Sequence, residues 1–244
     1  MRLNQKFRDR AMTMAIATPV FIFASIFVAW ALASRARKKK TKIQRFPTRS
    51  TSIGALHGGK LALHRLADYH EAQENAAALH TAETELKNLL EQEQPDFEQL
   101  QRTVAKLEMS GKEDDAVEML EKAVKAHEVK KQEAYEIEML LVEMLIYKGD
   151  FEKASNCECL KHEEISDARR PLYKGIIHLM LGHPKEQAKT CWKDFKNFQE
   201  HFQWPPNLKD SQVDNDITNF KKFENVVKLL KDDIHKAHAK KTQK

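Results

Sequence analysis

The chain has 244 residues, 41% hydrophobic and 32% charged, which is enough apolar material for one core of ordinary size plus flanking segments. Only 7 Gly, 7 Pro and 8% aromatic residues occur, beside abundant Ala, Leu, Glu and Lys, and this balance excludes a sheet-rich fold. The net charge of +5 is unevenly placed: residues 1–49 hold twelve Lys or Arg and one acid, +11, which leaves 5 − 11 = −6 for residues 50–244.

Residues 1–10 form a short basic tail, with Arg2, Lys6, Arg8 and Arg10 against Asp9. From Ala11 to Ala33 no charge appears, and the run is rich in Ile, Val, Phe and Leu. A helix of that length crosses a hydrocarbon layer of about 30 Å, with Trp30 near one interface, so residues 11–33 are predicted to be one transmembrane helix. Two rivals are weaker. Ala31-Leu32-Ala33 supplies a small-x-small cleavage site, but the apolar run is long for a signal peptide. A transit peptide would be amphipathic rather than uniformly apolar.

Arg35, Arg37, Lys38, Lys39, Lys40 and Lys42 follow the span and outweigh the positive charge before it, which orients the C-terminal part toward the cytosol and suits anionic lipid. The pattern also looks like the signal anchors of mitochondrial and plastid outer-membrane proteins. The expected location is therefore the endoplasmic reticulum or an organelle outer membrane, with import into a chloroplast or mitochondrion as the alternative. The basic run lacks interleaved aromatics, which argues against nucleic acid.

Residues 34–60 read as a basic, flexible linker containing Pro47, Gly54, Gly58 and Gly59. Gly54 to Lys60 has the spacing of a phosphate-cradling loop, but Leu61 stands where Ser or Thr must hold magnesium, and no apolar strand precedes it. Residues 61–93 are predicted as an amphipathic helical arm or capping helix, either continuous or broken near Gln73-Glu74-Asn75.

Beyond Pro95 a helix-turn-helix signature repeats. Met109-Ser110-Gly111-Lys112-Glu113-Asp114-Asp115-Ala116 is echoed by Tyr147-Lys148-Gly149-Asp150-Phe151-Glu152-Lys153-Ala154, and more loosely by Leu181-Gly182-His183-Pro184-Lys185-Glu186-Gln187-Ala188. The alanines are 154 − 116 = 38 and 188 − 154 = 34 residues apart. A period of 34 with a Gly-Asp-aromatic turn and a following small residue resembles the tetratricopeptide repeat, over residues 96–202. The resemblance implies an all-α fold: a right-handed superhelix of about three helix pairs with flanking helices, preceded by the transmembrane helix. Glu158 and Lys161 depart from it, because they fall where the second helix of the middle pair should be apolar. Residues 208–240 are predicted as a C-terminal capping helix.

The same resemblance implies a concave groove on the first helices of the pairs, lined here by Gln101, Ala105, Met139, Glu143, Ile146, Tyr173, Ile177 and Met180. This lining is more apolar than basic, which fits a client peptide or amphipathic helix rather than an acidic chaperone tail; residues 213–238 could equally cover it. Cys157-Glu158-Cys159 with His162 invites a metal, but residues two apart on a helix diverge, so neither metal nor cofactor is expected. Cys157, Cys159 and Cys191 cannot build a disulfide framework, which favours a reducing compartment. No nucleophile elbow or metal-hydrolase spacing occurs, so no enzyme activity is expected. The expectation is a membrane-anchored adaptor or assembly factor for a protein client, with a self-associating structural membrane protein as the alternative.

Overall fold

The computed structural model describes residues 49–74, 77–126, 130–201 and 219–241, all within one unit spanning Pro47–Lys244. The expected membrane span 11–33, the tail before it and the lysine-rich block after it lie outside the described residues. Among those described, no helix is long and apolar enough to cross a membrane.

All regular structure among the described residues is helical: α1 (Arg49–His57), α2 (Gly59–Glu74), α3 (Ala77–His80), α4 (Ala82–Leu90), α5 (Phe97–Ser110), α6 (Glu113–Ala126), α7 (Lys131–Lys148), α8 (Phe151–Ser155), a single 3-10 turn (Glu158–Leu160), α9 (Arg169–Met180), α10 (Lys185–His201) and α11 (Phe220–Lys241). The predicted arm 61–93 is divided among α2, α3 and α4, and α11 occupies the second half of the predicted cap 208–240.

The repeated signature becomes a repeated turn. Gly111, Gly149 and Gly182 stand at φ 75°, 86° and 71°, where a side chain would be strained. In each turn the amide after the glycine reaches back to a carbonyl five residues earlier: Lys112 to Leu107 at 3.0 Å, Asp150 to Leu145 at 2.9 Å and His183 to His178 at 3.0 Å. Carbonyls that the helix end would leave unpaired are thus satisfied, and the chain reverses into α6, α8 and α10. Ala116, Ala154 and Ala188, one turn into those helices, are fully buried.

Asp96 begins α5 after buried Pro95, its carboxylate accepting from the Gln99 amide at 3.1 Å. The α7 helix is apolar almost all round, as a central helix must be. One continuous core runs through the stack, from Ile53 and Leu86 through Leu100, Val142, Leu145 and Ile176 to Trp192, Phe223 and Ile234.

Two predictions are corrected. Residues 49–57, read from sequence as part of a flexible linker, form α1, because Arg49, Ser52, Ile53 and Leu56 share one face that is buried. The second helix of the middle pair is only the five residues of α8. It stops where Glu158 and Lys161 would have to enter the core. The Glu138 carboxylate on α7 instead accepts from the amides of Glu158 at 3.0 Å and Cys159 at 2.7 Å, holding the 3-10 turn in its place. The segment up to Asp167 is then pinned from α9, where the Arg170 guanidinium donates to the backbone carbonyls of His162 and, at 2.6 Å, Ile165.

Candidate functional site

The first helices of the three pairs, α5, α7 and α9, face a hairpin made of α1 and α2. The hairpin turns at Gly58 and Gly59, with φ of 77° and 58°. Its two helices touch closely: a Cβ added at Gly54 would stand 2.8 Å from Arg65 Cγ. Glycine is therefore required there so that the Arg65 stem can pass.

Three arginines, each with its carboxylates, tie the hairpin to the stack. Arg49 donates through Nε to Glu108 at 2.7 Å, through Nη1 to the Tyr147 carbonyl at 2.9 Å, and through Nη2 to Glu113. Arg65 donates to Glu143 at 2.5 Å and to the Gln101 carbonyl at 2.7 Å. In the third pair the direction reverses, with Arg102 on α5 donating to buried Asp68 on α2 at 2.5 Å.

Glu143 is the focus of this arrangement. It is fully buried and also accepts from the Tyr147 hydroxyl at 2.5 Å and the Tyr173 hydroxyl at 2.7 Å. Burial, and then the nearby carboxylate, push both phenols well above their ordinary range, so they stay protonated and donate. Burial works against the charge on Arg65, but the Glu143 carboxylate, with Asp68 beyond it, outweighs that cost and holds the guanidinium protonated. For Arg49 the same opposition is resolved by Glu108 and Glu113. Buried charges in such numbers persist only where each meets its partners.

Seven of the eight residues expected to line a groove are buried: Ala105, Met139, Glu143, Ile146, Tyr173, Ile177 and Met180. Only Gln101 reaches a cleft, and its backbone carbonyl is already taken by Arg65. The surface expected to be an open groove is thus covered by α1 and α2, while α11 packs against α1 and α9. Residues 213–238 had been the candidate cover. The sequence reading missed α1 because its glycines, serines and threonines resemble a tether; the buried set at positions 49, 52, 53 and 56 has helical spacing and was the available signal.

Two clefts lie around the hairpin turn. A cleft of ≈ 440 Å³ is bounded by His57, Tyr135, Glu136, Asp167, Arg169 and Phe198, and a second of ≈ 340 Å³ by His57, His64, Phe97, Gln101 and Arg169. Arg169 stands between them, held by Glu136 at 2.7 Å and Asp167 at 2.6 Å, and Tyr135 donates to Asp167 at 3.2 Å. His57 packs its ring near Phe195, and burial lowers its pKa, so it sits there neutral. The walls combine aromatic surface with fixed polar groups, as ligand-binding clefts do.

Reactive groups are held away from these clefts. Cys157 and Cys159 are buried; burial pushes the Cys157 thiol up to about 12, and the Cys159 thiol upward as well, with the Glu138 carboxylate adding to both. Cys157 lies just before the 3-10 turn and Cys159 within it, not on the continuous helix that the spacing argument assumed. Among the described residues no three His, Cys, Asp or Glu side chains group as ligands for a metal ion. No family model matches the chain, and no curated protein and no solved structure matches it significantly.

Proposed function

We propose that the chain is a membrane-anchored, non-catalytic adaptor or assembly factor whose helical domain is a tetratricopeptide-like right-handed superhelix and binds a protein client. The observation that carries this reading is the threefold recurrence of one turn: a left-handed glycine at 111, 149 and 182, a back-reaching amide, and a fully buried alanine at 116, 154 and 188. Stacked helix pairs of this kind serve as rigid scaffolds for peptide and helix recognition. Because α1 and α2 cover the surface expected to be an open groove, the client-binding surface is assigned to the clefts beside the hairpin turn, between Tyr135 and Arg169 on one side and Gln101 on the other. A short peptide, rather than a whole amphipathic helix, suits that space. The uncharged run 11–33 and the lysines after it support one span with the domain on the cytosolic side, at the endoplasmic reticulum or an organelle outer membrane.

A second reading, self-association, is supported by Leu63 and Leu66, which are 56% and 50% exposed on the outer face of α2. A photoreactive amino acid at Gln132 or Gln199, which line the larger cleft, tests the two against each other in intact membranes. A hetero-adduct from these sites that is absent when the probe is moved to exposed Lys122 supports the adaptor. Adducts only between copies, arising from probes near Leu63, would replace it with the oligomer.

A further inference from the structure

We infer that the lysine-rich face shared by α10 and α11 is a second membrane contact, which takes the anionic headgroups of the bilayer holding the 11–33 segment; this rests on the anchored reading above. The charge of the helical region is segregated along the chain. Residues 185–244 hold 13 Lys against 9 acids, +4, so residues 50–184 carry −6 − 4 = −10. The C-terminal part of the chain is therefore basic and residues 50–184 before it acidic.

The lysines of that end lie side by side. On α10, Lys185, Lys189, Lys193 and Lys196 recur at three- and four-residue steps along one flank of the helix. That flank adjoins α11, because Lys185 pairs with Glu224 at 2.7 Å and the Trp192 ring stacks on Phe223 with centroids 4.8 Å apart. The α11 helix buries Phe223, Val227, Leu230 and Ile234 and turns Lys221, Lys228 and Leu229 outward. Leu229 is 58% exposed beside Lys228, with Lys222 and Lys236 seven residues away on either side in the same helical row. An exposed leucine on a helix face that carries Lys221, Lys222, Lys228 and Lys236, with Asp232 between them, is the pattern of a helix lying at a lipid interface, where the apolar side chain enters the headgroup layer and the ammonium groups meet phosphate. Nucleic acid is less favoured, since no exposed aromatic stands among these lysines for a base to stack on.

The covalent connection makes even a weak contact effective. Residues 34–48 separate the expected span from buried Arg49, and fifteen residues reach about 50 Å at most. Confinement within that distance of the bilayer supplies a high effective concentration, so the lysine face needs little intrinsic affinity. Each lysine near an anionic surface raises partitioning about fivefold.

The core side chains from Ile53 to Ile234 all lie within Pro47–Lys244, so that unit can be tested alone once far-ultraviolet circular dichroism shows it helical. It is to be sedimented with phosphatidylcholine vesicles with and without phosphatidylserine. Retention on the phosphatidylserine vesicles alone is expected, abolished by high salt, reduced about tenfold or more by Lys221→Glu with Lys228→Glu and several-fold by Leu229→Gln. Lys221→Gln with Lys228→Gln, which cannot add repulsion to the fold, is expected to give a smaller loss. Failure of the folded unit to prefer phosphatidylserine, equal binding by the lysine variants, or preference for RNA over the vesicles would each overturn the inference. Carbonate extraction of the full chain separates this from the anchor: an extractable chain whose unit still binds phosphatidylserine removes the anchor alone, whereas an anchored chain whose unit ignores it removes the lysine-face contact alone.

Discussion

Arg65 on α2 and Glu143 on α7 meet at 2.5 Å with 1% and 0% of their side chains exposed, and two tyrosines complete the carboxylate's shell. Removing one partner of such a pair leaves an uncompensated buried charge. Arg65→Met in the 47–244 unit is expected to lose about 3–5 kcal/mol of stability in urea denaturation. Adding Glu143→Gln should restore most of that loss, because no charge remains and the amide can accept from one tyrosine hydroxyl through its oxygen and donate to the other through its NH2. Tyr173→Phe alone should cost about 1 kcal/mol. A loss below about 1 kcal/mol for Arg65→Met would mean that water reaches Glu143 and that α2 is a loose lid.

The repeated glycines are expected to differ in what they tolerate. Gly111 at φ 75° has nothing within 4 Å of an added Cβ, so Gly111→Ala should cost only the left-handed strain, about 1 kcal/mol. Gly149 at φ 86° would in addition press a Cβ to 3.2 Å from Ile234 and 3.4 Å from the His238 ring. Thermal unfolding should therefore rank Gly149→Ala below Gly111→Ala. The reverse order would show that α11 yields easily at its C-terminal end.

The repeats were legible because their signals are local. A glycine that must be left-handed and an alanine where helices cross are demanded within eight residues of chain, so Gly111, Gly149 and Gly182 mark their turns without knowledge of the rest. The occupied groove was not legible, because its cause is distant: Arg49 meets Glu108, 59 positions away, and Arg65 meets Glu143, 78 positions away. Arg49 follows closely on the basic run Arg35 to Arg45 in the sequence, so its charge alone does not mark it as buried. Tyr173 and Met180, expected to line an open groove, are buried, because whether a helix face is open depends on what packs over it.

The three thiols should react in a fixed order. Cys191 is half-buried and borders a cleft of ≈ 590 Å³ with Arg170 and Lys174, while Cys157 and Cys159 are enclosed; burial raises all three thiols, those two furthest. The thiolate is the nucleophile, so a maleimide at neutral pH should modify Cys191 first and the other two only as the domain unfolds. Mass spectrometry of a labelling time course reads this directly. Rapid modification of Cys157 in the folded protein would contradict the 3-10 turn that encloses it.

Alkaline pH should be the weakness of the fold. Cys157 and Cys159 are shifted upward by burial and Glu138, and Tyr147 and Tyr173 by burial and Glu143. In the unfolded chain a thiol titrates near 8.5 and a phenol near 10. The folded state thus keeps protons that the unfolded state releases, and stability is fully present below about pH 8.5 and lost as pH rises toward the folded values. Each group contributes a loss of about 1.4 kcal/mol per pH unit once its unfolded counterpart has ionised. Melting temperatures of the 47–244 unit measured from neutral to strongly alkaline pH should fall in two stages, the thiols first and the phenols second. Replacing Cys157, Cys159 and Cys191, which burial also raises, by alanine should delay the onset to the phenol range, and a profile that stays flat there would mean that Tyr135, Tyr147 and Tyr173 ionise in contact with water.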